Sequence, residues 1–241
     1  MKKNKILIMC GGRGKRLGSM SDRIPKPLMT INKQTILEYK IEQYKRQGFN
    51  DFIFCIGYKG ELIQSLVKKI DGIQPEFSAA GESAGILARL FFAKPLFDDQ
   101  VLVTYGDTFT DLNLNALSSV HQKSNNEATI VVASIKNPFG LVEFNADQKV
   151  TFFKEKPMLN YFIGYVVINK SALELIPGKV INMPDGEGIV TFFKILMGMD
   201  LLGCYFHSGL QTTFNTPGEL EIAEQDIINF FTTIEENNHE K

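Results

Sequence analysis

Continuous apolar runs alternate with segments of helical periodicity over the first 135 residues. The apolar runs are KILIMC (5–10), DFIFCIG (51–57), QVLVTYGD (100–107) and EATIVVASI (127–135). Runs without polar alternation predict strands buried on both faces, as in a parallel sheet. Apolar residues at helical spacing predict helices between them, at 36–48, 62–67, 85–93 and 114–123. This alternation predicts an α/β fold with a Rossmann-like, mainly parallel sheet flanked by helices.

The pattern changes after residue 136. Three strand-like segments separated by short turns predict a small antiparallel lobe, at 140–144, 150–155 and 161–169. A helix is predicted over 188–198 and a strand over 201–206. Thr216 and Pro217 then have the residue types of an N-cap and a first helical position. We expect one domain over 1–241, with a core at about 1–135, a second section at about 136–215 and a last helix at about 217–233.

Composition and charge narrow the range of partners. The 241 residues carry a formal net charge of −1, so no global field favours nucleic acid or an anionic membrane. The longest apolar stretch, 189–206, is interrupted by Lys194 and Asp200, and the N-terminal run is too short for a signal peptide. These features predict a cytoplasmic protein. Cys10 and Cys55 end buried strands without metal-binding spacing, so we expect buried free thiols.

A glycine-rich loop with basic neighbours follows the first strand, Gly11-Gly12-Arg13-Gly14-Lys15-Arg16-Leu17. The absence of Ser or Thr after the lysine excludes a Walker loop, and the absence of GxGxxG excludes the dinucleotide fingerprint. Such glycines still let an anion approach backbone N–H groups, and Arg16 and Lys26 would add positive charge for a triphosphate. Taken alone, the same residues also fit a plain turn with solvated basic side chains.

Four motifs then occur in one order: GGRGKRL (11–17), IPKPL (24–28), TYGD (104–107) and EKP (155–157). Together they resemble the sugar-phosphate nucleotidyltransferase family, whose signature is GGxGxRL followed by PKPL. The resemblance extends from about residue 5 to about 225. CIGYKGELI (55–63), VTYGDTFTDLNL (103–114), and HSG (207–209) before NTP (215–217) are similar to the cytidylyltransferase branch. It implies a GT-A-like nucleotidyltransferase fold that binds a nucleoside triphosphate, with CTP favoured, in the core and a phosphorylated small molecule in the second section.

The resemblance also implies a reaction and its residues. An acceptor phosphate oxygen attacks the α-phosphorus of the nucleotide in line, and pyrophosphate leaves. Arg16 and Lys26 would be the catalytic residues, which hold the triphosphate tail and stabilise charge at the α-phosphorus. The nucleotide-binding residues would be Gly11, Gly12, Gly14, Arg16, Gly85 and Gly106.

Metal and acceptor residues follow from the same motifs. Asp107 and Asn215 would bind Mg²⁺, and the acceptor-binding residues would be Glu155, Lys156 and Gly164. Asn215 departs from the family, which usually has a second aspartate there. The segment 160–165 also departs, because it lacks the Asn-Gly-Gly or Asn-Ala-Gly with which sugar-handling members meet sugar hydroxyls.

These departures leave the acceptor and the activity open. An acceptor other than a common hexose 1-phosphate is one hypothesis, for example a phosphorylated amine, amino acid or amide. Capsule-pathway members of the family make CDP-glutamine from phosphoglutamine. A sugar 1-phosphate cytidylyl- or guanylyltransferase is the alternative, and a regulatory protein that binds nucleotide without turnover is a third. The strands after 136 or the last helix could also pair copies into a homo-oligomer.

Overall fold

The computed structural model of the protein describes residues 4–14, 24–184, 186–213 and 217–239. The strands are β1 (Lys5–Met9), β2 (Thr30–Ile31), β3 (Gln34–Thr35), β4 (Asp51–Ile56), β5 (Gln74–Ala79), β6 (Gln100–Tyr105), β7 (Thr108–Thr110), β8 (Ala128–Lys136), β9 (Leu141–Phe144), β10 (Val150–Lys154), β11 (Met158–Asn169), β12 (Leu202–His207) and β13 (Gln211–Thr213). The helices are α1 (Ile36–Arg46), α2 (Gly60–Val67), α3 (Ile86–Ala93), α4 (Leu114–Gln122), α5 (Gly178–Ile181), α6 (Glu187–Gly198) and α7 (Pro217–His239). Short 3₁₀ turns lie at Lys26–Leu28, Lys94–Leu96 and Lys170–Glu174. Within the described ranges, no helix combines the length and the apolar character needed to cross a bilayer.

A seven-stranded sheet forms the centre of the fold, in the order β12-β8-β11-β6-β1-β4-β5. β1 pairs in parallel with β4 and β6, β4 pairs in parallel with β5, and β8 pairs in parallel with β12. β11 runs antiparallel to both of its neighbours, β6 and β8. The predicted mainly parallel α/β sheet flanked by helices is therefore confirmed.

The antiparallel section differs from the prediction in one strand. β9 and β10 form a separate antiparallel hairpin, as expected of a small lobe. β11 instead lies inside the main sheet, where residues 163–168 are buried. A shift of register between Phe162 and Val166 surrounds Gly164, whose φ of 79° suits glycine. The predicted lobe therefore contains only the first two of the three strands.

Several further elements differ from the expected pattern, among them β5 and α7. β5 was not predicted, because QPEFSA is only partly buried and contains Pro75. A proline is tolerated there because β5 is the edge strand of the sheet. α7 continues to His239, beyond the predicted end near 233. No proline or glycine follows Gly218 to end that helix.

Apolar clusters fill both sides of the sheet. On one side, side chains of α1, α2 and α4 pack on β1 and β4; on the other side, those of α3 and α6 do so. α1 begins with a capping box, in which Thr35 and Glu38 exchange side-chain to backbone hydrogen bonds. α7 packs through Ala223, Ile227 and Phe231 against Met29 and Phe109.

The order of strands creates a crevice between β1 and β6. From β1 the chain adds β4 and β5 on one side, and it then returns to place β6 on the other side of β1. At such a switch point the loops leave in opposite directions, so a crevice opens at the carboxyl ends of the strands. The loop from Cys10 and the turn Tyr105-Gly106-Asp107 border that crevice.

Candidate active site

A cavity of about 760 Å³ lies at the carboxyl ends of β1 and β6. Six of the predicted site residues border it: Gly11, Gly12, Gly14, Lys26, Gly106 and Asp107. The 82–86 segment, between β5 and α3, forms part of the opposite wall. The fold therefore brings the glycine loop, the PKPL motif and the TYGD motif to one place.

Lys26 and Asp107 form an ion pair in this cavity. Lys26 Nζ donates to Asp107 Oδ2 at 2.8 Å. The lysine side chain is 9% exposed and the aspartate side chain is 32% exposed, so one partner is buried and the other meets solvent. Such a pair leaves fixed charges of both signs beside a space that can hold a ligand.

Close packing between two motifs fixes this geometry. The Gly106 N–H donates to the Met9 carbonyl at 3.1 Å, which joins the end of β6 to the end of β1. A Cβ on Gly106 would lie 2.7 Å from Met9 O and 2.9 Å from Pro27 Cγ. Only glycine allows this approach of backbone and proline ring, and it places Lys26 next to Asp107.

The glycines of the loop serve different purposes. Gly14 has φ of 63°, in the left-handed region that favours glycine. Gly12 is exposed, and a Cβ there would meet none of the described residues within 4 Å. The protein's own packing therefore does not explain a glycine at position 12, whereas close approach of a ligand would.

Arg89 is a site residue that sequence reasoning missed. The residue is 4% exposed, and its guanidinium donates to the carbonyls of Ile56 at 2.8 Å, Gly11 at 3.2 Å and Glu82 at 3.2 Å. It thereby ties the end of β4, the glycine loop and the 82–86 segment together. A Cβ on Gly57 would lie 2.6 Å from Arg89 Nη1, so that glycine makes room for the guanidinium. The sequence did contain a signal for this role, because Arg89 lies on the apolar face of the helix predicted at 85–93.

A second ion pair crosses the mouth of the cavity. Arg13 Nη2 lies 2.6 Å from Glu82 Oε2, and both side chains are about half exposed. The Arg13 guanidinium also lies 5.4 Å from the centre of the Tyr58 ring. Because an exposed pair of this kind is weak, its arginine can exchange a carboxylate for a bound anion.

The thiols near the cavity are not nucleophiles. Cys10 and Cys55 are buried free cysteines, as predicted. Burial raises the pKa of the Cys10 thiol far above its usual range and raises the pKa of Cys55 to about 12. Both thiols therefore stay protonated near neutral pH, and a thiolate mechanism is excluded for them.

The predicted acceptor residues lie apart from this cavity. Glu155 and Lys156 are exposed in the turn after β10, with Lys156 Nζ 3.8 Å from Glu155 Oε1, and neither borders the cavity. Gly164 lies beneath it, because a Cβ there would be 3.2 Å from the ring of Tyr105, which does border it. Gly85, a predicted nucleotide contact, borders a second cavity of about 620 Å³ on the far side of the 82–86 segment.

Two predicted residues, Arg16 and Asn215, lie outside the described residues. Among the residues that are described, no cluster of three or more His, Cys, Asp or Glu side chains could hold a metal ion by itself. Asp107 at the edge of this cavity nevertheless fits magnesium, which takes one or two carboxylates together with phosphate oxygens and water. A metal at this position would depend on the nucleotide for further ligands.

Comparisons with known proteins agree with this geometry. Residues 5–170 match the profile of the nucleotidyl transferase family. A Bacillus subtilis protein named as a probable glucose-1-phosphate cytidylyltransferase is 29% identical over 237 residues, with 88% of this chain and 91% of that protein covered. The glucose-1-phosphate cytidylyltransferase of Salmonella typhimurium is 30% identical over 204 residues, with 71% of this chain and 77% of that protein covered.

Solved structures support the fold. A Bacillus anthracis protein assigned as a glucose-1-phosphate thymidylyltransferase, solved in complex with a sucrose, superposes with a TM-score of 0.73. Its sequence identity is 18%, and the match covers 92% of this chain and 94% of that one. The family match, the cavity at the switch point and the paired PKPL and TYGD motifs lead to one conclusion: the chain belongs to the nucleotidyl transferase family and is similar to its glucose-1-phosphate cytidylyltransferases.

Proposed function

We propose that this protein transfers CMP from CTP to a phosphorylated small molecule and releases pyrophosphate. The observation that carries the proposal is the Lys26–Asp107 pair, 2.8 Å apart at the edge of a cavity that the glycine loop also borders. The pair supplies a cation for phosphate oxygens and a carboxylate for a metal ion at one point. A nucleotidyl transfer needs both of these at the α-phosphorus.

For this reaction the protein mainly has to position the two substrates and to stabilise negative charge on the phosphates. An oxygen of the acceptor phosphate forms a bond to the α-phosphorus, and the bond from that phosphorus to the oxygen bridging the β-phosphate breaks. Lys26 is placed to stabilise negative charge on the α-phosphoryl group during its transfer. Arg13, at the mouth of the cavity, is placed to bind the β- and γ-phosphates. Mg²⁺ held by Asp107 would neutralise further charge on the triphosphate. No side chain has to act as a nucleophile or general base.

The choice of CTP rests on the relatives. Two proteins named for cytidylyl transfer are 29% and 30% identical to this chain, and a relative named for uridylyl transfer and one named for guanylyl transfer are less similar, at 25% and 27%. The motifs CIGYKGELI (55–63) and VTYGDTFTDLNL (103–114) support the same choice. We therefore expect CTP to be preferred over UTP, GTP and ATP.

Two classes of acceptor have specific support. The relatives' names favour a sugar 1-phosphate. The structure of 162–164 favours a non-sugar acceptor such as phosphoglutamine: Phe162 packs on Tyr105 and Phe193, Ile163 is buried, and Gly164 has no side chain. A site for a polyhydroxyl ligand needs polar side chains, and this segment offers none.

The test is pyrophosphate release across a matrix of substrates. Each of the four nucleoside triphosphates is incubated with Mg²⁺ and with sugar 1-phosphates, phosphocholine, phosphoserine or phosphoglutamine. Release that requires both CTP and one acceptor supports the proposal and identifies the acceptor class. Pyrophosphate release with a nucleotide other than CTP would show that the protein prefers a different base. Nucleotide binding without release across the whole matrix would contradict the proposal and favour a regulatory nucleotide-binding protein.

A further inference from the structure

A fully buried lysine lies directly behind the turn that carries Asp107. Lys40, on α1, is 0% exposed. Its ammonium group donates to Thr104 Oγ1 at 3.2 Å, to Tyr165 Oη at 3.1 Å and to the carbonyl of Thr108. An ammonium group has three N–H donors, and these three acceptors use all of them. A charge buried this deeply is costly unless it is satisfied in this way.

Two of the three acceptors bracket Asp107. Thr104 lies near the end of β6 and Thr108 begins β7, so the turn Tyr105-Gly106-Asp107 runs between them. Lys40 therefore joins the two ends of the turn from below. Hydrogen bonds within the turn add to this clamp, because the hydroxyls of Thr104 and Thr108 both donate to the Tyr105 carbonyl, at 3.3 and 3.2 Å.

Two tyrosine rings, those of Tyr44 and Tyr165, lie beside the ammonium group of Lys40. Tyr44 Oη donates to Tyr165 Oη at 3.1 Å and also lies 3.2 Å from Thr104 Oγ1. Burial favours the neutral form of Tyr165, but the Lys40 ammonium and the hydrogen bonds that the tyrosine accepts outweigh this, and its pKa lies below the usual value. The pKa of Tyr44 is raised by burial and by Tyr165. Lys40 and Tyr44 thus donate to Tyr165, whose hydroxyl in turn donates to the Thr108 carbonyl at 3.4 Å.

We propose that Lys40 is a positioning residue for Asp107: it fixes the 105–107 turn so that the carboxylate faces Lys26 and a metal–nucleotide complex. Lys40 makes no contact with the cavity and acts only through the turn. The effect of Lys40 on catalysis rests on the proposed function. Its effect on the order of the 105–107 turn holds whatever reaction the protein catalyses. Residues that orient a metal ligand from behind typically change metal affinity or activity by roughly 10–100-fold when they are replaced.

The test compares two variants of the same buried network. Lys40→Met keeps an unbranched side chain that is one atom shorter, and it removes the three donors. Tyr44→Phe is the matched control, because it removes a buried hydroxyl of the network but leaves Lys40 bonded to both Thr104 and Thr108. Thr104→Val, which removes one end of the clamp, is the second variant in case Lys40→Met fails to fold.

Two measurements make the result independent of turnover. Hydrogen exchange without ligand should be at least about 10-fold faster at the Gly106 amide in Lys40→Met and unchanged in Tyr44→Phe. In the presence of CTP, the affinity for Mn²⁺, followed by electron paramagnetic resonance, should fall roughly 10-fold in Lys40→Met. The same replacement should have no further effect in an Asp107→Asn background.

The outcomes separate this inference from the proposed function. Unchanged exchange at Gly106, or a loss of Mn²⁺ affinity that is equally large in the Asp107→Asn background, would overturn the role of Lys40. Absence of pyrophosphate release from the unaltered protein with every substrate would overturn the proposed function only, since hydrogen exchange still reports on the turn. A fall in kcat without a rise in the KM for CTP in Lys40→Met would support both.

Discussion

Lys26 Nζ lies 2.8 Å from Asp107 Oδ2, although the two residues are 81 positions apart in the chain. Lys26 belongs to a 3₁₀ turn and Asp107 to the turn after β6, and Pro27 and Gly106 pack where these turns meet. The fold brings these opposite charges together at the sheet edge, beside a cavity. This position fits a binding site for a phosphate and its metal ion better than an ion pair that only stabilises the fold. Solvent reaches the aspartate side chain, which is 32% exposed, and it screens the attraction between the two charges.

Replacing Lys26 with methionine is expected to lower turnover by roughly a hundred- to a thousand-fold, because the charge at the α-phosphorus is lost. The KM for CTP should change much less, since Arg13 remains at the mouth of the cavity. Steady-state pyrophosphate release measures both quantities. Lys194→Ala, an exposed lysine on α6, is the control and should match the unaltered protein. Equal rates for the two variants would remove Lys26 from the mechanism.

Alanine at Gly12 and at Gly106 should have opposite effects. Gly106→Ala forces a methyl group against Met9 O and Pro27, so unfolding should become easier by about 1–3 kcal/mol. The methyl group of Gly12→Ala would meet none of the residues that the structure describes, so stability should change by less than about 0.5 kcal/mol. If the triphosphate approaches Gly12, CTP binding should nevertheless weaken by about 10-fold. Urea unfolding and calorimetry give the two numbers, and normal CTP affinity in Gly12→Ala would exclude close approach there.

Arg89→Met should destabilise the fold and weaken nucleotide binding together. The three carbonyls that Arg89 joins would lose a charged donor, and we expect a loss of about 3 kcal/mol in the free energy of unfolding. Lys94→Met breaks a surface pair with Glu174 and should cost less than about 1 kcal/mol. Chemical denaturation of both variants tests the difference. A loss in Arg89→Met as small as that in Lys94→Met would show that the guanidinium does not hold the glycine loop.

His121 should make stability depend on pH below about 6.5. Its imidazole is buried, with Nδ1 2.8 Å from Thr129 Oγ1 and Nε2 3.0 Å from Asn169 Oδ1. Burial lowers its pKa below the ordinary value of 6.5. Below pH 6.5, His121 is therefore protonated more readily in the unfolded chain than in the folded protein. Stability falls as the pH drops below 6.5. The slope should approach about 1.4 kcal/mol per pH unit at most.

The comparison for His121 is the variant His121→Gln. It should be less stable than the unaltered protein at pH 7 and should lose part of the dependence of stability on pH below 6.5. Urea unfolding at several pH values measures this. An identical slope in the two proteins would assign the dependence to other groups.

The local pattern of the sequence was sufficient for much of the fold and for part of the site. Apolar runs such as 5–10 and 100–107 predicted buried parallel strands, and parallel strands end at one edge. That relation alone predicts that Gly11 and Asp107 lie close together. The PKPL motif added Lys26 to the predicted site. This assignment came from the resemblance to a known family, because the spacing of residues along the chain does not show that Lys26 lies near Asp107.

The remainder depended on contacts between distant residues. Nothing within 158–169 specifies that β11 inserts between β6 and β8, since a strand's partners are set by packing across the sheet. Lys40 and Arg89 are charged residues on helices, where solvent exposure is the ordinary expectation. Their roles follow from acceptors on other strands and loops, such as Thr104 for Lys40 and Gly11 for Arg89.

The central claim is that the cavity beside Lys26 and Asp107 directs attack on the α-phosphorus of CTP. Radiolabelled CTP tests this most directly, with ³²P in the α-position in one reaction and in the γ-position in another. Together with Mg²⁺ and the acceptor, the account predicts that the α-label enters the product and the γ-label leaves as pyrophosphate. Transfer of the γ-label to the acceptor, or its release as orthophosphate while the α-label stays in CDP, would contradict it.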